Sequence, residues 1–223
     1  MPPPRHPLVD VQIAYYDARA TEYESSLAFS DGRFADRNPD AQALWLLQQF
    51  VRSLSHVETT LEVACGTGIW TQEFVKISGH VHAVDASANM IALNRRASNP
   101  KVTYECANIF EWNPSRRFER VAAAFWLSHV PDDLLKAFVA KVDAALLPGG
   151  QALIIDEAMP GESECSPGRV ARELHDGSHF EIVKNCRNGA EIRDAFDRTR
   201  YMLDAGLQTG RLVALLMSRR QSL

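Results

Sequence analysis

The sequence is short of features that mark several classes of protein. Among its 223 residues there is no run of about eighteen or more apolar residues, and the opening MPPPRHPLVD has no apolar segment like that of a secretion signal. Lysine and arginine form no cluster larger than pairs such as Arg95-Arg96, and the formal net charge is −4. We therefore expect a cytoplasmic protein with no nucleic-acid partner and no membrane partner.

Cysteine is also scarce, and its spacing carries no metal signature. The four cysteines are far apart, with no CxxC pair and no paired histidine spacing nearby. We therefore expect neither a zinc site nor a disulfide framework, and no metal at all. Since 46% of the residues are hydrophobic and 23% are charged, the chain is expected to form one domain with an ordinary core.

The middle of the chain alternates between strand and helix patterns. Such alternation predicts right-handed βαβ units and a mainly parallel sheet covered by helices on both faces, a three-layer doubly wound α/β fold. The predicted strands are 59–64, 80–85, 101–106, 120–127 and 151–156, and the predicted helices are 9–29, one from Pro39, 69–78, 88–97 and 132–147. A turn at Asp31-Gly32 is expected to end the first helix and Gly79 the third, with Asn38 and Ser87 as caps of the second and fourth.

The C-terminal part has a less regular pattern. After a polar loop at 160–168, we expect a strand at 180–183, a helix at 190–203 and a buried strand at 211–217. These assignments leave little room for another strand before the last one. A DG turn within 174–186 favours a hairpin that covers a pocket.

The most informative segment is LEVACGTGIW, residues 61–70, which passes from a strand into a turn. Ala64, Gly66 and Gly68 keep large side chains away from the backbone, so a ligand can approach the N–H groups there. Asp85 ends the next strand. Because ligands of open α/β sheets bind at the carboxyl ends of the strands, Asp85 and the turn are expected to serve one ligand, a nucleoside with a ribose diol.

Three ligand classes use a turn of this kind. A nicotinamide or flavin dinucleotide requires G-x-G-x-x-G, but Thr71 stands at the third position. A nucleoside triphosphate requires G-x-x-x-x-G-K-[ST], and no lysine is placed for it. The remaining class is a nucleoside that carries an amino-acid tail.

This pattern resembles the class I S-adenosylmethionine-dependent methyltransferases. The motifs are found in order from Tyr15 to Glu157, and the position of the family's first glycine is Ala64 here. The resemblance implies a Rossmann-like sheet, an N-terminal helical lid, S-adenosylmethionine as cofactor and S-adenosylhomocysteine as product. The final strand pair departs from the family pattern, because the sequence leaves little room for one of its two strands. The motifs are YYDARATEYE, LEVACGTG, VHAVDAS, Asn108-Ile109-Phe110, WLSHVPDD and LLPGGQALIIDE.

The resemblance also assigns a cofactor site. The methionine end of the cofactor would lie at Glu62 and the turn, its ribose at Asp85, and its adenine at Asn108 between apolar side chains. The glycines could instead serve only the turn, Asp85 could cap the next helix, and Asn108 could be a turn residue. The expected cofactor-binding residues are Tyr16, Glu62, Ala64, Gly66, Thr67, Gly68, Asp85, Ala86, Met90, Asn108, Ile109, Phe110 and Phe125.

Candidate catalytic residues follow the fourth and fifth strands. His129 in WLSHVPDD is placed to act as a general base, although it could also only shape the loop before Pro131. Asp156 could orient His129 or bind substrate, with helix capping or a solvated position as alternatives. The candidate substrate contacts are Trp126, His129, His175, His179 and Phe180.

Together these features predict metal-independent methyl transfer from S-adenosylmethionine to a small-molecule acceptor, more readily to oxygen than to nitrogen. One alternative is a non-catalytic S-adenosylmethionine-binding module, and another is a nicotinamide-dependent oxidoreductase, which Thr71 disfavours. We expect a single methyltransferase domain over 1–223, as a monomer or homodimer. Its parts are a lid at 1–37, a cofactor-binding core at 38–157 and a substrate-covering part with the last strand at 158–223.

Overall fold

The computed structural model describes residues 6–26, 39–158 and 168–220. The predicted end of the first helix at Asp31-Gly32 and the predicted cap Asn38 lie outside these residues. Within the described part, no helix is long and apolar enough to cross a membrane. The helices are α1 (Pro7–Ser26), α2 (Pro39–Ser53), α3 (Thr71–Phe74), α4 (Ala88–Asn94), α5 (Leu135–Ala145) and α6 (Gly189–Ala195).

Seven strands form one sheet in the order β3-β2-β1-β4-β5-β9-β8. The first five strands of that order are parallel, whereas β9 runs antiparallel to β5 and β8 runs antiparallel to β9. The predicted doubly wound α/β class is confirmed. The strands are β1 (Val57–Val63), β2 (Ser78–Asp85), β3 (Val102–Cys106), β4 (Phe118–Ala124), β5 (Leu146–Glu157), β8 (Tyr201–Thr209) and β9 (Leu212–Arg219).

Both faces of this sheet are covered, as a parallel sheet requires. On one face, Val63 and Val121 pack with Phe138 of α5. On the other face, Ala83 and Ala122 pack with side chains of α2 and α3. The order reverses between β1 and β4, and the crevice beyond their carboxyl ends is the usual ligand site of such sheets.

Two helix predictions were wrong in extent. The predicted helix 69–78 shrinks to α3, and Ser78 already begins β2. Gly79 does not end a helix. It lies in β2, where a Cβ atom would be 2.9 Å from the carbonyl oxygen of Glu58. Close packing of strands, not helix termination, therefore requires glycine there.

The predicted helix 190–203 also ends early, at Ala195. Tyr201–Thr209 is β8, and a tight turn at Gly210 with φ +53° leads into β9. The final strand pair is therefore complete, and the suspected loss of one strand is not found. Most of this edge strand is exposed, and its pairing with β9 along Tyr201–Thr209 sets its conformation.

A separate hairpin of β6 (Gly168–Glu173) and β7 (His179–Lys184) packs against α1. The hairpin predicted within 174–186 is present, but its first strand lies before Leu174. Tyr15 of α1 is buried against Leu174 and Ile182, so the helix and the hairpin form one cover. Cys65 and Cys106 are free thiols, whereas Cys186 is disulfide-bonded, which corrects the expectation of unpaired cysteines.

Candidate active site at the carboxyl ends of the strands

The turn after β1 uses left-handed backbone at three alternate residues. The φ angles are +55° at Ala64, +52° at Gly66 and +101° at Gly68. A Cβ atom at Gly68 would lie 2.3 Å from Oδ1 of Asn94, so that position has no room for a side chain. A Cβ atom at Gly66 would meet no atom within 4 Å and would point into open space. The two glycines therefore have different surroundings, close packing at Gly68 and open space at Gly66.

Glu62 lies beneath this turn and is almost completely buried. Its Oε2 accepts a hydrogen bond of 2.6 Å from the hydroxyl of Thr71, which in turn accepts one of 2.9 Å from the amide of Asn94. Burial raises the pKa of Glu62 to about 8. A buried carboxyl group of this kind is prepared to lose its proton when a cation binds beside it.

Asp85 closes the other side of the turn. Its carboxylate accepts hydrogen bonds of 2.8 Å from the backbone N–H groups of Gly66 and Ser87. Burial raises the pKa of Asp85, and these N–H donors oppose that effect. Ser87 caps α4 and also donates a 2.6 Å hydrogen bond to Asp17 of α1. The predicted capping role of Ser87 is thus present together with a link to the covering helix.

Two cavities open at this edge of the sheet, and most of the predicted site residues line one of them. The smaller one lies beside Asp85. The larger one has a volume of about 800 Å³, within the range of roughly 300–1,000 Å³ typical of small-molecule sites. The smaller cavity is lined by Tyr16, Ala64, Gly66, Asp85, Ala86, Met90, Asn108, Ile109, Phe125, Trp126 and His129. The larger cavity is lined by Glu62, Thr67 and Gly68, and it shares Tyr16, Ala64, Gly66, Phe125 and His129.

His129 lies where the two cavities meet, in a short 3₁₀ turn after β4. Its Nε2 is 2.9 Å from the hydroxyl of Tyr16, and its Nδ1 is 2.8 Å from the carbonyl oxygen of Val183. Burial is the main cause that lowers the pKa of His129 to about 3, and the charge of Lys184 lowers it further. The imidazole is therefore neutral at physiological pH.

The backbone around His129 is held by side chains from α1 and from the segment after β7. Gln12 of α1 donates to the carbonyl oxygen of His129 at 2.8 Å, and its side-chain oxygen accepts from the N–H of Val183. The buried guanidinium of Arg187 donates to the carbonyl oxygens of Leu127 and Val130. These contacts fix the loop to α1 and to the segment after β7.

Asp156 also holds the backbone of this loop, but it does not contact the imidazole. It is buried, and its Oδ2 accepts a 2.8 Å hydrogen bond from the N–H of Ser128. Burial raises its pKa. Asp156 therefore lies under the loop that carries His129, and it lines neither cavity.

Four other predicted residues lie away from both cavities. His175 is exposed and pairs with Glu22, and His179 is exposed near Glu173. Phe180 packs on Tyr15 with ring centroids 5.4 Å apart. Phe110 packs on Trp126 and supports the cavity wall from behind. None of these four residues lines either cavity.

Sequence reasoning missed several residues of the site. Gln12, Asn94 and Arg187 have no motif, since a single amide or guanidinium on a helix or in a loop carries no spacing signal. Lys184 also escaped notice, although its ammonium lies 3.2 Å from Glu157 at the rim of the larger cavity. Asp17 lies inside the quoted segment YYDARATEYE, so a search for caps across elements could have found it.

Comparison with known proteins agrees with this geometry. Residues 60–150 match a family model described as a methyltransferase domain. The structure of DhpI in complex with S-adenosylhomocysteine superposes with a TM-score of 0.78 at 30% identity, over 98% of this chain and all of that chain. A second DhpI complex, with SAM and HEP, is 31% identical over 96% of this chain and 99% of that one. The chain belongs to the class I S-adenosylmethionine-dependent methyltransferases.

Curated relatives of this methyltransferase match over a shorter length. The ubiquinone biosynthesis O-methyltransferase of Bradyrhizobium sp. (strain ORS 278) is 33% identical over 97 residues. That alignment covers 42% of this chain and 38% of the relative. The demethylmenaquinone methyltransferase of Bacillus licheniformis is 28% identical over 46% of each chain. The matched parts thus span less than half of these relatives.

The site of this methyltransferase fits S-adenosylmethionine, the cofactor of its family. Open space stands over Gly66, and carboxylates from β1 and β2 flank it. Thr67 Oγ1 and Trp126 Nε1 are buried polar atoms at the cavity walls without a hydrogen-bond partner among the described residues. The described residues contain no group of three His, Cys, Asp or Glu that could hold a metal ion.

Proposed function

We propose that this protein transfers a methyl group from S-adenosylmethionine to an oxygen, or less readily a nitrogen, of a small-molecule acceptor, without a metal. One observation carries the proposal. The cavity beside Asp85 and the larger cavity share a junction formed by Tyr16, Phe125 and His129. A cofactor that runs from Asp85 over the glycine turn, and an acceptor in the rest of the larger cavity, would meet at that junction.

The cofactor would be held by groups from both strand ends. Glu62 would bind the amino group of the methionine part, and Gly66 would let the backbone approach it. Asp85 would accept hydrogen bonds from the ribose hydroxyls, and Asn108 would bind the adenine edge. Met90 and Ile109, both buried and both lining the cavity, would cover the faces of the ring.

The bound cofactor supplies a methyl group on a sulfonium, which is displaced in line by the acceptor. Alignment and exclusion of water supply most of the rate increase in such a reaction. The cover of α1 and the β6–β7 hairpin would provide that exclusion, because Tyr16 and Tyr23 line both cavities. A neutral His129 would accept the proton that an acceptor hydroxyl or amine must lose.

Relatives support the reaction and the preference for oxygen. The Bradyrhizobium protein is named an O-methyltransferase, and DhpI is seen with SAM together with HEP. We infer the reaction class of this protein from these relatives, but not the identity of its acceptor. We also propose that 1–223 acts as one domain in the cytoplasm, with 1–37 as lid, 38–157 as cofactor-binding core and 158–223 as acceptor cover.

Transfer of label tests the function without a known acceptor. The protein is incubated with methyl-tritiated S-adenosylmethionine and a protein-free small-molecule extract of the source cells, and labelled products are separated by chromatography. We expect a protein-dependent labelled compound that is lost in Asp85→Ala. Tight binding of S-adenosylhomocysteine with no labelled compound in any extract would favour a non-catalytic binding module instead.

A further inference from the structure

We propose that Tyr16 is a catalytic residue that passes the acceptor's proton to His129. The inference rests on the proposed methyl transfer and adds a second group to its proton path. Tyr16 was expected to contact the cofactor from the lid. Its hydroxyl is instead committed to the ring nitrogen of His129 at 2.9 Å.

The direction of that hydrogen bond follows from the other ring nitrogen. The carbonyl oxygen of Val183, 2.8 Å from Nδ1, can only accept, so Nδ1 of His129 carries the hydrogen. A neutral imidazole with Nδ1–H has a lone pair on Nε2. Tyr16 therefore donates its hydroxyl proton to Nε2, and its own oxygen keeps lone pairs for another donor.

The position of Tyr16 makes it the group that an acceptor would meet. Both ring nitrogens of His129 are occupied, one by Val183 and the other by Tyr16. Tyr16 lines both cavities at their junction. An acceptor hydroxyl in the larger cavity reaches His129 by way of the phenol oxygen, which lies on the Nε2 side of the imidazole.

Cationic groups from three neighbouring elements help to keep His129 neutral, while the carbonyl oxygen of Val183 opposes them and the carboxyl group of Asp156 lies under the same loop. Lys184 of β7, Arg172 of β6 and Arg19 of α1 all disfavour the imidazolium, and burial disfavours it most. Burial also raises the pKa of Tyr16 well above its usual value. The phenol therefore does not ionise by itself, and the two protons must move together, one arriving as the other leaves.

The bond between the acceptor oxygen and the methyl carbon forms as the sulfur–carbon bond breaks, and the acceptor's hydroxyl proton becomes strongly acidic. That proton passes to the oxygen of Tyr16 while the phenol proton passes to Nε2 of His129. The positive charge that was on sulfur ends on the imidazole, which later releases its proton to solvent. Because the proton moves only after positive charge develops on the acceptor, a weak base suffices.

Nuclear magnetic resonance of protein with ¹⁵N-labelled histidine tests the hydrogen bonds without any acceptor. The His129 signals are assigned with His129→Gln and followed from pH 5 to 8 with S-adenosylhomocysteine bound. We expect a neutral ring with the proton on Nδ1 throughout, and a shift of Nε2 in Tyr16→Phe. Tyr15→Phe makes the same chemical change one residue away, outside both cavities, and should leave the signal in place.

Three results in that experiment would overturn the inference: a proton on Nε2, an imidazolium at pH 7, or an Nε2 signal that Tyr16→Phe does not move. The labelling assay then tests the catalytic part. We expect Tyr16→Phe to slow transfer by at least about tenfold, with S-adenosylhomocysteine affinity within about twofold of the wild type. Equal transfer rates in Tyr16→Phe and Tyr15→Phe would also overturn it. Absence of labelled product in the wild type would instead contradict the proposed function.

Discussion

The side chain of Asn94 occupies the space that a side chain at Gly68 would need. Its amide also donates to Thr71, the partner of Glu62. Gly68→Ala should therefore lower the free energy of unfolding, because Asn94 must move and φ +101° strains any residue with a Cβ atom. We expect a loss of about 1–3 kcal/mol in urea unfolding. Partial recovery in Gly68→Ala combined with Asn94→Ala would support the steric cause, and wild-type stability of Gly68→Ala would contradict it.

Gly66→Ala is the matched comparison for Gly68→Ala. Its φ of +52° costs an alanine about 1–2 kcal/mol, and its methyl group would meet no protein atom within 4 Å. That methyl group would enter the space proposed for the cofactor. We expect the variant to fold and to bind S-adenosylhomocysteine at least about tenfold more weakly in calorimetry. Unchanged affinity would mean that the cofactor does not approach Gly66.

Glu62 should release a proton when the cofactor binds. Its pKa of about 8 lies above the ordinary value of 4.5, so its contribution to stability is present below about pH 4.5 and is lost as pH rises through 8. The cofactor's ammonium group would favour the ionised carboxylate. Calorimetry at pH 7 in two buffers of different ionisation enthalpy should detect this proton release, and Glu62→Gln should abolish it. Equal heats in the two buffers for the wild type would contradict the assigned contact.

His129 should make the free energy of unfolding depend on pH in the opposite sense to Glu62. Its folded pKa of about 3 lies below the ordinary 6.5, so between these values the unfolded state binds more protons and stability falls as pH falls. We expect the wild type to lose about 1–2 kcal/mol more than His129→Gln between pH 7 and 5. Parallel curves for the two proteins would show that the folded imidazole titrates normally.

Arg187 should affect methyl transfer indirectly, because it positions the loop that carries His129. Arg187→Ala removes the donors to the carbonyl oxygens of Leu127 and Val130, and we expect a loss of about 1–3 kcal/mol in stability. Methyl transfer should fall about tenfold with S-adenosylhomocysteine affinity nearly unchanged, and Arg187→Lys should recover part of the rate. Arg198→Ala removes a half-exposed ion pair with Asp194, outside both cavities, and serves as the control. Loss of cofactor affinity in Arg187→Ala would contradict this division of roles.

The sequence was most informative where chemistry and local pattern coincide. Alternating strands and helices predicted the sheet, and two strand ends with Glu62 and Asp85 predicted the cofactor edge, because the carboxyl ends of parallel strands must meet. Ser87 was recognised as a cap from its position before a helix pattern. In each case the signal lies within a few residues of the feature that it predicts.

The features that the sequence does not predict depend on contacts between residues that are far apart in the chain. The start of the edge strand, residues 201–203, falls in the predicted helix and the rest in a predicted connection, because the pairing with β9 is not encoded in these residues alone. The contact between Tyr16 and His129 joins positions 113 residues apart. Gln12 reaches both His129 and Val183 through one amide, and no spacing rule anticipates such a bridge. Histidine chemistry makes His175 and His179 candidates, but both side chains are exposed and line neither cavity.

The most direct test of the account is calorimetric titration of the purified protein with S-adenosylhomocysteine, with NADH as a parallel titration and Asp85→Ala as the matched variant. The account predicts saturable binding of S-adenosylhomocysteine in the micromolar range or tighter, a large loss of affinity in Asp85→Ala, and no binding of NADH. Glu105→Ala, on the neighbouring strand and outside both cavities, should bind like the wild type. Absence of S-adenosylhomocysteine binding in the folded wild type would contradict the central claim.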